Sequence, residues 1–110
     1  MPKCKVIDPA YTWGRDRRIG TPWEKTIVYE AHTRGISMRH PSVPDAARGT
    51  FAGLMNDDLI GHIKDLGVTA IELLPIHAFV NDQHLLQKGL NNYWGYNSIA
   101  FFAPHPKYLA

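Results

Sequence analysis

Apolar and polar positions along the chain fall into three short extended runs and one helical stretch. Thr26-Ile27-Val28-Tyr29-Glu30-Ala31-His32 is dense in β-branched and aromatic residues and predicts a strand. Ile27, Tyr29 and Ala31 share one face, Val28, Glu30 and His32 the other, and Gly35 ends the element. Leu59, Ile60, Ile63 and Leu66 recur at helical spacing. Asn56 is placed to cap that helix, Asp57 and Asp58 occupy the first turn, where carboxylates favour the helix dipole, and Gly67 stands just past its end. Val68-Thr69-Ala70-Ile71-Glu72-Leu73-Leu74 predicts a second strand stopped by Pro75, and Ile99-Ala100-Phe101-Phe102-Ala103 is a short apolar run stopped by Pro104. Between these, residues 33–55 read as loop, punctuated by Pro41, Pro44, Gly49 and Gly53, and residues 76–98 read as a polar loop. Residues 1–25 are irregular, broken by Pro2, Pro9, Gly14, Gly20 and Pro22. Val6 and Ile7 offer a short strand end, and Tyr11, Trp13 and Trp23 are expected to lay this connection over a surface.

Strand, long loop, helix, tight turn and strand make a βαβ unit, whose two strands are expected to be parallel with a right-handed crossover. Parallel strands are normally covered by helices on both faces, and one helix cannot do that. Each strand keeps a bare hydrogen-bonding edge. Ile27, Tyr29, Ile71, Leu73, Phe101 and Phe102 need more apolar partners than one helix face supplies. The expectation is therefore a piece of a larger α/β protein. The alternative is a compact α+β domain in which residues 99–103 add a third strand.

Composition narrows the classes. The chain has 110 residues, about one small domain, and a formal net charge of +2. That balance argues against a nucleic-acid or membrane-surface partner, and Arg15-Asp16-Arg17-Arg18 reads as a solvated loop. Cys4 is the single cysteine, so no internal disulfide forms and a reducing, cytoplasmic setting is expected. The opening Met1-Pro2-Lys3-Cys4-Lys5 lacks a signal-peptide core, and no stretch approaches the roughly 20 apolar residues of a membrane helix.

The stretch with most chemical content is Asn91-Asn92-Tyr93-Trp94-Gly95-Tyr96-Asn97, with three aromatic rings among flanking amides. Flat rings stack on the C–H faces of sugars and amides match sugar hydroxyls, although Tyr and Trp also fill cores and interfaces. It follows the strand that ends at Pro75, so it belongs in a loop beyond that strand, where parallel α/β proteins carry their chemistry. Glu30 and Glu72 suggest a carboxylate pair, but each sits inside its strand and reads as a structural group. His32, His40, His62, His77, His84 and His105 show no zinc spacing. His62 reads as a surface residue. His32 and His77 lie at strand ends, where a hydrogen-bonded supporting role and substrate contact are both open. Ser37, Ser42 and Ser98 lack a nucleophile-elbow context.

Read together, these segments resemble the alpha-amylase superfamily. Thr26 to Gly35 is similar to the first barrel strand of those enzymes, Gly67 to Ile76 to the second, and Asn92 to Asn97 with Phe101-Phe102-Ala103-Pro104 to the segment leading to the third. His40-Pro41, Arg48-Gly49-Thr50-Phe51-Ala52-Gly53-Leu54 and His77-Ala78-Phe79-Val80 resemble the glycogen debranching and isoamylase branch. The likeness covers residues 22–110 and implies an α/β fold, a partial (β/α)8 TIM barrel comprising the first two strands, the first helix and the approach to strand three. Residues 1–25 would be a linker from an absent N-terminal carbohydrate-binding domain, and residues 26–110 the N-terminal part of the catalytic barrel.

The implied activity of the parent is hydrolysis of α-1,6 branch linkages in glycogen or limit dextrin with retention, which needs a nucleophile and a general acid flanking the bond. The family carries its carboxylates on strands four, five and seven, and its Asp-Asn-His motif at the end of strand three. None has a counterpart in this chain, so no catalytic residue is assigned and the chain alone is expected to be inactive. By the same resemblance Tyr96 is the stacking platform for the sugar at the cleaved subsite, Trp94 borders that cleft, and His77 is a further substrate-binding candidate. No cofactor or metal is implied. The expected partners are an alpha-glucan and the remainder of the barrel. Two other readings remain open, a non-catalytic glucan-binding module using Trp94 and Tyr96, and an α/β interaction domain with no sugar role.

Overall fold

The computed structural model describes Val6, Asp8 and residues 10–109. Cys4 and Ile7 lie outside the described residues. The elements in chain order are β1 (Val28–Ala31), α1 (Thr33–Met38), α2 (Phe51–Leu54), α3 (Asp57–Asp65), β2 (Ala70–Leu73), β3 (His77–Phe79), α4 (Gln83–Leu86) and β4 (Ser98–Pro104). Short 3-10 turns stand at Trp23–Lys25, Asp45–Ala47 and Pro106–Tyr108. Among the described residues no helix is long and apolar enough to cross a membrane.

β1 and β2 pair in parallel, with Val28 opposite Ala70, Tyr29 opposite Ile71, Glu30 opposite Glu72 and Ala31 opposite Leu73. Thr69 starts the ladder. Its Oγ1 accepts the Ile27 amide at 2.8 Å, and the Thr69 and Ala70 amides both donate to the Ile27 carbonyl. α3 connects the two strands as the sequence predicts. The Asn56 side chain accepts the Leu59 amide at 3.1 Å, Leu59 and Ile63 are buried, and Gly67 takes φ +79°. Burying two such side chains contributes about 3–6 kcal/mol. Leu66, assigned to the same buried face, is exposed, because it stands at the C-cap where the chain turns away.

Among the described residues β1 and β2 have no other strand partner. Ile27, Val28, Tyr29 and Ile71 are about half exposed, so the apolar surplus expected from the sequence is present as open surface.

Residues 33–55 are not a loop. β1 ends at Ala31 rather than at Gly35, because His32 caps α1 and its Nδ1 accepts the amides of Arg34 and Gly35 at 3.1 and 3.2 Å. Gly35 lies inside that helix, and a Cβ there would come within 2.9 Å of the Tyr93 hydroxyl. Gly53 has a similar reason. Its Cβ would meet the Ala47 carbonyl at 2.5 Å and Ser37 Oγ at 2.8 Å. Ser37 is fully buried and accepts the Gly49 amide at 2.9 Å. Glycines that read as loop punctuation are close-packing positions between α1 and α2.

Residues 76–98 likewise hold β3 and α4. The apolar run at residues 99–103 does become a strand, β4, but it pairs antiparallel with β3 and not with the β1–β2 sheet. The register is irregular. The single step from His77 to Ala78 spans Ala100 to Pro104 on β4. An aromatic core closes this half, with Tyr108 buried against the rings of His32, Phe51, Phe79 and His105.

The N-terminal aromatics do not lie on a surface. Tyr11 and Trp13 pack edge to face on each other at 4.9 Å, and with Trp23 they stay largely exposed, because no apolar face of the described residues reaches them.

Candidate functional site

A concave opening of about 500 Å³ lies beside the β1–β2 sheet. Glu30 and Glu72 come from the strands, Pro75 from the end of β2, His77 from β3, and Ser98 and Phe101 from β4; Tyr96 completes it. Two of the three residues singled out in the sequence, Tyr96 and His77, therefore share one cleft.

Tyr96 is exposed for a structural reason. Gly95 before it is buried at φ +84°, and a Cβ there would press on Phe79 at 3.0 Å and Pro75 at 3.1 Å. The backbone is thus drawn down onto the core, and the ring that follows stands out, 71% exposed. Its hydroxyl has no protein partner among the described residues. The neighbouring amides do not stand free for a ligand as the sequence suggested. Asn92 Oδ1 accepts the Gly95 amide at 2.9 Å, Asn81 Oδ1 accepts the Asn92 amide at 2.8 Å, and Asn97 Nδ2 donates to Asp82 at 2.9 Å. The amides hold the loop, leaving the rings as its outward chemistry.

Trp94 points elsewhere. Its ring packs edge-on against Tyr93 at 5.2 Å and His32 at 6.0 Å, and it does not line the Tyr96–His77 cleft. His32 is buried and stacks on Tyr93 with ring centroids 4.1 Å apart. Since Nδ1 accepts two amides, the ring proton sits on Nε2, which donates to the Tyr93 carbonyl at 2.6 Å. One imidazole thereby fastens the aromatic loop to the end of β1, across 61 residues of chain. The sequence left a supporting role for His32 open; the partner it supports is set by tertiary packing.

His77 Nδ1 accepts the Phe102 amide at 2.9 Å, and its ring meets Phe101 and Phe102 edge-on, each at 5.6 Å. Phe102 is the one non-glycine residue with positive φ among the described residues, at +64°.

Glu30 and Glu72 stand at the same register on adjacent strands, which lie about 4.8 Å apart, so both side chains leave the same sheet face. Both are exposed, and neither has an ion-pair partner among the described residues. Solvent, not a counter-charge, tolerates the pair. Away from the cleft, burial and then the Lys107 ammonium push the His105 pKa below its ordinary value of 6.5. Burial and then the neighbouring Tyr93 raise that of Tyr108, with Arg34 opposing. Sequence reasoning did not find Phe101 as a cleft residue, since an apolar run before a proline signals only a strand. It also missed Asp82, whose bracketing of Asn92 and Asn97 has no local pattern.

No protein-family profile matches the chain. Curated relatives do. The chain is 50% identical over 105 residues to a protein named glycogen operon protein GlgX homolog from Mycobacterium tuberculosis, covering 96% of this chain and 15% of the relative. It is 49% identical over 108 residues to the glycogen debranching enzyme of Serratia proteamaculans, covering 98% and 16%. With the glycogen debranching enzyme of Yersinia pseudotuberculosis it shares 47% identity over 110 residues, covering 100% and 17%. The chain thus spans about a sixth of the length of these relatives. The resemblance read from the sequence is met by direct similarity: nearly the whole chain matches one segment of proteins named glycogen debranching enzyme or GlgX homologue.

Proposed function

We propose that this chain is the opening part of the catalytic (β/α)8 barrel of a glycogen debranching enzyme, whose parent hydrolyses α-1,6 linkages in glycogen or limit dextrin. The observation that carries the reading is about 50% identity over nearly the whole chain to proteins so named. The bare edges and half-exposed apolar side chains of β1 and β2 support it, since a barrel would supply their missing neighbours. In this reading residues 1–25 are a linker and residues 26–110 barrel. Tyr96 is the stacking platform and His77 a polar contact beside it, while Trp94, packed on Tyr93 and His32, stands outside the cleft these two line.

Hydrolysis needs two carboxyl groups about 5–5.5 Å apart around a bound glycosidic bond for retention. Glu30 and Glu72 are the cleft's carboxylates, and both lie within strands rather than beyond strand ends, where barrel chemistry occurs. The chain by itself therefore binds but does not cut. Incubation of the purified 110-residue chain with branched dextrin is expected to release no linear chains. Titration with maltooligosaccharides is expected to give a saturable signal that Tyr96→Ala abolishes. Release of linear chains overturns the inactive reading, and indifference to every glucan removes the sugar role and favours an interaction domain.

A further inference from the structure

The bulged β3–β4 pair holds one strained residue and one imidazole bonded to it. At φ +64° Phe102 occupies a left-handed conformation that is costly for a non-glycine residue, and such strain persists only where surrounding structure fixes it. Phe102 is almost fully exposed and its ring meets His77 only at an edge, so packing of its own ring does little of the fixing. What reaches it is the bond from its amide to His77 Nδ1 at 2.9 Å. The adjacent ring, Phe101, lines the cleft together with His77 and Tyr96.

An imidazole nitrogen that accepts an amide carries no proton, so the neutral ring holds its proton on Nε2. That nitrogen has no protein partner among the described residues, and His77 lines the cleft. We propose that His77 is the positioning residue of this cleft: by accepting the Phe102 amide it locks the left-handed turn that brings Phe101 to the wall beside Tyr96, and it presents Nε2–H as a fixed donor to a sugar hydroxyl. The donor half rests on the sugar-binding reading above. The locking half stands on geometry alone.

Nitrogen NMR of histidine-labelled chain tests the lock without any sugar. The expected spectrum gives His77 an unprotonated, hydrogen-bonded Nδ1 and a protonated Nε2. His77→Asn keeps an acceptor at the δ position and should retain the Phe102 amide shift, whereas His77→Ala should lose it. Phe102→Gly removes the steric reason for a lock and should leave His77 and Phe101 where they are. If His77→Ala does not fold, the tautomer and the Asn variant still decide the question. In maltooligosaccharide titration, His77→Asn should weaken binding about 3- to 10-fold, the worth of one hydrogen bond, and Phe102→Gly should not. A proton on Nδ1, or an unchanged Phe102 amide in His77→Ala, overturns the lock. Wild-type affinity in His77→Asn beside lost affinity in Tyr96→Ala overturns the donor role while the sugar-binding reading stands. Should the unsubstituted chain bind no glucan, that reading falls and the donor half with it, and the tautomer decides the lock.

Discussion

The parallel half of this molecule and its antiparallel half are stabilised in opposite ways. In the β1–α3–β2 unit most elements close on themselves. Asn56 caps its own helix, Gly67 ends it, and Thr69 opens the ladder, yet the sheet offers half-exposed Val28, Tyr29 and Ile71 to solvent. In the β3–β4 half regular structure is scant, and side chains do the tying. Asn81, Asn92 and Asp82 hold the aromatic loop, His77 holds Phe102, and Tyr108 gathers the rings. Capped, periodic elements form from neighbours in sequence, whereas a loop of exposed rings needs partners from afar to keep its shape. His32 joins the halves, capping α1 with one nitrogen and holding the Tyr93 carbonyl with the other.

The largest test strikes that joint. His32→Ala removes the acceptor of two amides and the donor to the Tyr93 carbonyl, and is expected to cost about 3 kcal/mol. Denaturant unfolding measures the loss, and hydrogen exchange should show protection falling in both halves at once. A loss confined to one half would mean that the halves are not coupled through this ring.

Next come two substitutions that separate the halves. Gly95→Ala forces a Cβ at φ +84° against Phe79 and Pro75, at about 2–3 kcal/mol, and exchange should rise in β3, β4 and the aromatic loop alone. Asn56→Ala deletes a cap at about 1 kcal/mol, together with the Nδ2 bond to the Ser42 carbonyl, and should loosen α3 and its junction with Ser42 while leaving β3 and β4 protected. Equal spreading of both effects over the whole chain would erase the distinction.

The smallest expected effect is a pH dependence belonging to the antiparallel half. His105 is buried and stacked on Phe79, with Nε2 unpartnered, and its pKa lies below 6.5 when folded. The unfolded chain thus binds this proton more readily. Stability is full above 6.5, falls as pH drops below it, and levels off once pH is below the folded value. Unfolding midpoints compared from about pH 5 to about pH 8 should show a slope that shrinks in His105→Asn.

The βαβ unit was legible in the sequence because its determinants are local. Alternation in Thr26 to His32, helical spacing from Leu59 to Leu66, the Asn56 cap and Gly67 each act within a turn or two. α1 and α2 were not, since Gly35, Gly49 and Gly53 look like breakers until Tyr93, Arg34 and Ser37 are known to press on them. β3 is only three residues long and carries no period. Of the candidate site, the exposed rings could be read from their composition. Their directions could not, and the structure turns Tyr96 toward His77 while Trp94 leans on His32.

The sequence by itself determined the helix, both parallel strands and the kinship to glycogen debranching proteins, because spacing, caps and motifs are properties of neighbouring residues. Only tertiary structure decided which face the apolar run at residues 99–103 would join, which amides would be consumed in holding a loop, and which nitrogen of His32 and His77 would carry the proton. Each of those depends on a partner that no local pattern names, up to 61 residues away for His32, and a hydrogen bond has no direction until both of its ends are in place.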